Sequence, residues 1–254
     1  MNAALLGGPA FLLRRADYGE RHVIVDLLGK EVGRFSAIAY NAKGSSKRFA
    51  GGLQPLRVLE ATVSSLRSGD LYRLDSLEVV EDFPGLELRL ETLTAGSYAT
   101  ELLREVAREG EAGRPLFGLL RSFLLHLPEA PTTAAVLRLV YQFEFQVLEY
   151  LGEAPAVCCC ARCLKPTVDF QPYRCSRRGE GLICDDCRQP ADHLGRIPES
   201  TLQMLQHLAS PEEVDIPLAN TEEALHQAGR VIATSIDLAI EKPLLARDML
   251  RSLY

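Results

Sequence analysis

The chain has 254 residues, 47% of them hydrophobic and 24% charged, with a net charge of −6. That balance belongs to a globular protein of one or two domains with a sizeable core, and it excludes a disordered or low-complexity chain. No apolar run reaches the roughly 18 residues of a membrane-spanning helix, so no membrane partner is expected.

The first eighty residues read as strands. Ala10–Arg15, Arg21–Leu28, Gly33–Asn41, Pro55–Leu66 and Asp70–Val80 are rich in Val, Leu, Ile, Phe and Tyr. Turn residues at Asp17–Gly19, Lys30–Gly33 and Ser68–Asp70 separate them. Five short strands with one long Gly/Ser-rich connection at Lys43–Gly52 predict a small closed barrel, with the five-stranded OB-fold leading. After Pro84 the period changes to that of helices, at Glu87–Glu109, Pro115–Leu127 and Thr133–Leu151. In the third, Val136, Leu139, Val140, Phe143, Val147 and Leu151 form one stripe, and Gly152 stops it. A Cys-rich segment follows, then helices over Pro198–His207, over Asn220–Ala239 with Asn220 and Glu223 as a capping box, and from Pro243 to the C-terminus. The fold class expected is α+β: an N-terminal five-stranded OB-fold barrel, residues 1–82, and an α-helical domain, residues 83–254, with an inserted zinc module at 158–193.

Within the Cys-rich segment, Cys160-x2-Cys163 and Cys184-x2-Cys187 are separated by twenty residues. Each CxxC turn can aim two thiolates at one cation, and four thiolates leave no open position for an activated water. One structural zinc on Cys160, Cys163, Cys184 and Cys187 is therefore expected. Cys159-x3-Cys163 is an alternative spacing, but the x2 pairing gives the regular knuckle. Cys158, Cys159 and Cys175 are read as unliganded small hydrophobes. An odd total of seven Cys suits a metal in a reducing cytoplasm better than a disulfide framework. The basic residues of MNAALLGGPAFLLRR follow the apolar stretch, the reverse of a signal peptide, so a cytoplasmic location is expected.

Charge is unevenly placed. Residues 1–80 carry 11 Lys and Arg against 8 Asp and Glu, a net of +3, and the remainder carries 17 against 26, a net of −9. From Val32 to Leu59 there is no acidic residue, while Arg34, Lys43, Lys47, Arg48 and Arg57 supply five positive charges. The stretch Asn41–Phe49 mixes basic, hydroxyl and aromatic residues of the kinds that serve a sugar-phosphate backbone. Lys43, Lys47 and Arg48 are the first candidates for contacts to DNA. Arg34 and Arg57 are weaker ones, because strand residues can point to either barrel face. Tyr18, Phe35, Tyr40 and Phe49 could stack on bases, although aromatics in strands are more often core. There is no G-x-x-x-x-G-K-[ST], G-x-S-x-G, H-E-x-x-H or zinc-deaminase signature, so no catalytic role is assigned.

The stretches Leu13–Glu20, Ile24–Leu28 and Gly33–Ser36 resemble the RecO family of bacterial recombination mediators. The resemblance continues through Lys47–Leu56, returns at Gly179–Cys184, and ends at Glu241–Leu244. It implies an OB domain, a helical domain and an inserted zinc module. It further implies a non-enzymatic protein that binds single- and double-stranded DNA, anneals complementary strands, and works with RecR, RecF and single-stranded DNA-binding protein to load RecA at the nucleoid. The acidic C-terminal tail of single-stranded DNA-binding protein would then dock on the helical domain, with Arg138 and Arg247 as candidates. The rival reading is a zinc-stabilised protein-interaction adaptor whose barrel does not bind DNA.

Overall fold

The computed structural model describes residues 5–44, 48–49, 53–66, 71–111, 113–210, 221–240 and 242–252. Lys47, most of the Gly/Ser-rich connection, the 67–70 turn and the Asn220 cap lie outside these residues. The strands are β1 (Leu5–Tyr18), β2 (His22–Gly29), β3 (Gly33–Ala39), β4 (Val58–Ser65), β5 (Tyr72–Glu81), β6 (Arg174–Ser176) and β7 (Leu194–Arg196). The helices are α1 (Leu90–Val106), α2 (Arg114–His126), α3 (Thr133–Leu151), α4 (Glu199–Ala209), α5 (Thr221–Ala239) and α6 (Leu245–Arg251). The chain forms two compact units, Met1–Ala130 with Leu244–Tyr254, and Pro131–Pro243.

In the first unit, β1 to β5 close a barrel in the order β1-β2-β3-β5-β4, with β4 returning to β1. All pairs are antiparallel except β3 with β5, which meet at Ala37↔Tyr72 and Ile38↔Arg73. The strands form because apolar residues alternate at the period of two that a one-sided sheet requires. Val23, Val25 and Leu27 of β2 point inward with Leu59, Ala61 and Val63 of β4, and with Leu74 and Leu77 of β5. A register shift between Leu12 and Arg14 marks a bulge in β1, which lets a 14-residue strand bend around the barrel. β4 starts at Val58 and not at Pro55, because Leu56 takes φ 63 and leaves the extended region. Its side chain is buried instead, against the Gly96 notch of α1.

Apolar packing and backbone hydrogen bonds join this barrel to its helices within the unit. Phe11 is fully buried and meets Phe117 of α2 at 4.8 Å between ring centroids. The β2–β3 turn meets the α1–α2 connection backbone to backbone: the Arg34 N–H donates to the Arg108 carbonyl at 3.2 Å, and Gly33 bridges Glu109. The short α6 packs on α1, and its first turn is held by Glu101, whose carboxylate accepts the N–H groups of Leu245 (3.1 Å) and Ala246 (2.7 Å).

In the second unit, α3 begins at Thr132, whose hydroxyl accepts the Ala135 N–H at 3.2 Å, and ends at Gly152 in the left-handed region. Its buried stripe is Val136, Val140, Phe143 and Val147, packed with α4 and α5. Gly229 of α5 leaves the notch that the Tyr141 ring fills. Residues between α3 and α4 form the cysteine module, with β6 and β7 as its two-stranded ribbon.

Candidate metal centre and nucleic-acid interface

The cysteine module is built from two tight turns. In the first, the Leu164 N–H donates to the Cys160 carbonyl at 2.9 Å and Leu164 takes φ 61; in the second, the Cys187 N–H donates to the Cys184 carbonyl at 3.2 Å. Each turn brings its two thiols to the same side, and the sulfurs of Cys160, Cys163, Cys184 and Cys187 all lie within 4.8 Å of one another. The Cys163 and Cys184 sulfurs are 3.7 Å apart. A tetrahedral cation with Zn–S bonds of about 2.3 Å requires sulfur edges of about 3.8 Å, so four thiolates fit this group.

The protonation chemistry suits a cation. Burial would raise Cys160, but the backbone N–H groups of Cys184, Cys163 and Arg162 outweigh it and hold the thiol down to about 6. The thiols of Cys163 and Cys184 push Cys187 up to about 12. A dication at this group would displace the proton that Cys187 holds. Cys175 is separate: it lies in a small core with Phe170, Leu182 and Leu202, and burial pushes its thiol up to about 12. Cys158, Cys159 and His193 are not in the sulfur group.

Arg162, inside the first CxxC turn, ties the module together. Its guanidinium donates to the Cys187 carbonyl at 2.9 Å, to both oxygens of Asp192 at 2.8 Å, and to Glu180 at 3.2 Å. Sequence reasoning gave this residue no separate role; its position between two ligand cysteines was the available signal. The same contact holds the Asp192 carboxyl down to about 2. A depressed carboxyl adds stability that is complete above about pH 4 and is lost as pH falls towards 2. Arg162→Ala is therefore expected to release metal more readily than wild type at neutral pH. Metal release to a chromophoric chelator at neutral pH measures the difference.

The barrel candidates divide into two places. Lys43 lies beside the β1–β2 turn, with its ammonium 2.9 Å from Asp17 and 3.4 Å from the Gly19 carbonyl. That hydrogen bond holds the Asp17 carboxyl below its usual range. Arg48 donates to the Tyr40 carbonyl at 2.7 Å and stands 5.0 Å from the Phe49 ring centroid. Tyr18 and Tyr40 are exposed at this end, with Tyr40 edge-on to His22. Arg21 is exposed there too and was given no weight from sequence. Phe49, read as a stacking candidate, is instead buried in the barrel core, because the chain turns inward to close that end; Phe35 packs on the same core.

Arg34 and Arg57 are elsewhere. Arg34 pairs with Leu28, six residues along β2 from His22, which is about 20 Å at strand rise. Its guanidinium donates to the Arg104 carbonyl at the end of α1 (2.8 Å) and stands 3.8 Å from Glu109. Arg57 pairs with Asp82 at 3.3 Å. Arg247 is buried, and Arg138 is half-buried.

Among the described residues, no helix is long and apolar enough to cross a membrane. The family model described as recombination protein O N terminal matches residues 5–83, and the one described as recombination protein O C terminal matches residues 87–248. A protein named DNA repair protein RecO from Anaeromyxobacter dehalogenans (strain 2CP-C) is 34% identical over 230 residues, covering 91% of this chain and 88% of its own length. Proteins of the same name from Myxococcus xanthus and Syntrophus aciditrophicus are 31% and 34% identical. They cover 82% and 70% of this chain, and 83% and 67% of their own lengths.

Proposed function

The chain belongs to the recombination protein O family, and we propose that this DNA repair protein binds the sugar-phosphate backbone of single- and double-stranded DNA at the β1–β2 end of its barrel. The observation that carries the reading is the grouping there of Lys43, Arg48 and Arg21 with the exposed rings of Tyr18 and Tyr40. Cations serve phosphates and exposed rings serve bases, a combination that tolerates any sequence. Lys43, Lys47 and Arg48 are the principal contacts, and Arg34 and Arg57 are subordinate because both stand away from this end of the barrel. Charge neutralisation brings complementary strands together, so annealing needs no bond-making residue. The four thiolates hold one structural zinc. RecR, RecF and the tail of single-stranded DNA-binding protein are the partners through which RecA loading would follow.

Replacing Lys43, Lys47 and Arg48 together by Ala is expected to weaken single-stranded DNA binding without altering zinc content. If each contacts one phosphate, the slope of log K against log salt should flatten by about 2, since each phosphate on a single strand contributes roughly 0.7. Annealing should fall in parallel. An unchanged slope moves the DNA site away from this end of the barrel, and full-length protein that binds no DNA at low salt returns the adaptor reading.

A further inference from the structure

The first cation at the β1–β2 end of the barrel already has a carboxylate. Lys43 comes from the acid-free stretch Val32–Leu59, yet the fold sets its ammonium 2.9 Å from Asp17, near the end of β1. The same carboxylate stands 3.8 Å from the Arg15 guanidinium, so one acid holds two cations. Asp17 is the most exposed of the three side chains, at 60% against 31% for Lys43 and 46% for Arg15. Lys43 does not depend on Asp17 for its place. Its backbone N–H donates to the Arg21 carbonyl at 3.3 Å, and the 3-10 turn Ala42–Gly44 sets its backbone. The Gly19 carbonyl also accepts from its ammonium at 3.4 Å.

We infer that Asp17 is a specificity-determining residue of this end of the barrel, a built-in counter-ion that occupies Lys43 and Arg15 until a nucleic-acid backbone displaces it. The inference rests on the proposed reading of this end as the phosphate site and deepens it. A carboxylate offers an ammonium or a guanidinium the same kind of charged oxygen acceptors as a phosphodiester, so it fills the site when no strand is bound. Displacing it costs little, because an ion pair this exposed is weak and the released carboxylate is at once hydrated. A single dissolved anion must still compete with an acid carried on the same chain, at high effective concentration. A strand brings adjacent phosphates together and gains from releasing its own counterions, so it succeeds where one anion fails. Displacement then adds Arg15 to the backbone contacts, a residue outside the basic loop.

The test uses full-length protein as wild type, Asp17→Asn, Lys43→Ala and the double variant, each titrated with labelled oligo-dT at several salt concentrations. Asp17→Asn is expected to raise affinity about threefold at low salt, the size an exposed ion pair supports, and the gain should fade as salt screens the pair. With Lys43→Ala in place, the same change should give no more than about 1.5-fold, because the pair it breaks is already gone. Equal gains in the two backgrounds would mean general repulsion of the strand and overturn the inference. Weaker binding by Asp17→Asn would also overturn it, since Asp17 would then be a support for Lys43. Asp17→Glu, which keeps the charge, should bind as wild type does. Inorganic phosphate, compared with chloride at equal ionic strength, should displace oligo-dT more readily from Asp17→Asn than from wild type; equal displacement removes the selectivity and overturns the inference. The two readings fail separately. A Lys43→Ala protein that binds as wild type contradicts the barrel reading itself, whereas weakened binding there with no gain in Asp17→Asn overturns this inference alone.

Discussion

A Cys184→Ser chain is expected to bind no zinc and to lose the order of residues 158–193, while the barrel stays folded. Cys184 is almost fully buried and its sulfur stands 3.7 Å from that of Cys163, so a shorter, weaker oxygen ligand has nothing to replace it. The module's own apolar cluster is Phe170, Leu182 and Leu202 around thiols, a core too small to order such a segment without a cross-link. Structural zinc in small modules contributes apparent free energies of about 10–16 kcal/mol, so losing it dominates every other term there. Cys175→Ser is the control. It should retain one zinc per chain and cost only about 1–3 kcal/mol for a buried hydroxyl. Elemental analysis of the purified variants decides: full zinc in Cys184→Ser, or loss in Cys175→Ser, contradicts the ligand assignment. Because Cys187 stands at about 12 without a cation, filling the site must expel protons, and zinc affinity should rise with pH.

Gly33→Ala is expected to be the most damaging single substitution in the first unit, at about 3 kcal/mol. Gly33 takes φ 71, and a Cβ there would lie 2.1 Å from the Glu111 carbonyl oxygen and 3.0 Å from that of Arg108. Both obstacles are backbone, so no rotamer change relieves them. Gly113→Ala meets the same junction from the other side, with its Cβ 2.0 Å from the Gly29 carbonyl oxygen. The double variant should cost less than the sum of the two, because either change alone already separates the turn from the connection. Gly118, exposed on α2 with open space around its Cβ position, is the opposite case; Gly118→Ala should stabilise by about 0.5–1 kcal/mol through helix propensity. Thermal or denaturant unfolding of the variants measures all four, and a Gly33→Ala protein as stable as wild type would show that the junction yields cheaply.

How much of this was legible in the residues depends on the range of the interaction that sets each feature. The barrel was readable because alternation such as Val23, Val25 and Leu27 is a local consequence of one face being buried. The two CxxC pairs were readable as one thiolate group because the knuckle turn acts over four residues, and two such turns have one common use. Helix ends were less so: α1 runs Leu90–Val106, shorter than its apolar pattern, because the chain before it is used in a 3-10 turn at Leu86–Leu88 and the chain after it meets the β2–β3 turn.

The fate of individual charged and aromatic side chains was decided only by tertiary structure. Phe49 and Tyr40 looked alike as candidates for stacking, yet one plugs the barrel and the other stands in solvent. Arg34 and Lys43 fall in one acid-free stretch, yet Arg34 closes the end of a helix seventy residues away while Lys43 pairs with Asp17 at the β1–β2 turn. Arg162 and Arg177 lie fifteen residues apart in one basic stretch, yet the first is spent on Asp192 and Glu180 and the second faces water. Sequence by itself determined which segments become strands, helices and knuckle turns, since backbone periodicity and short turns act over a few residues. Which carboxylate reaches which guanidinium is a matter of side chains meeting across the chain, and only the folded backbone sets those distances.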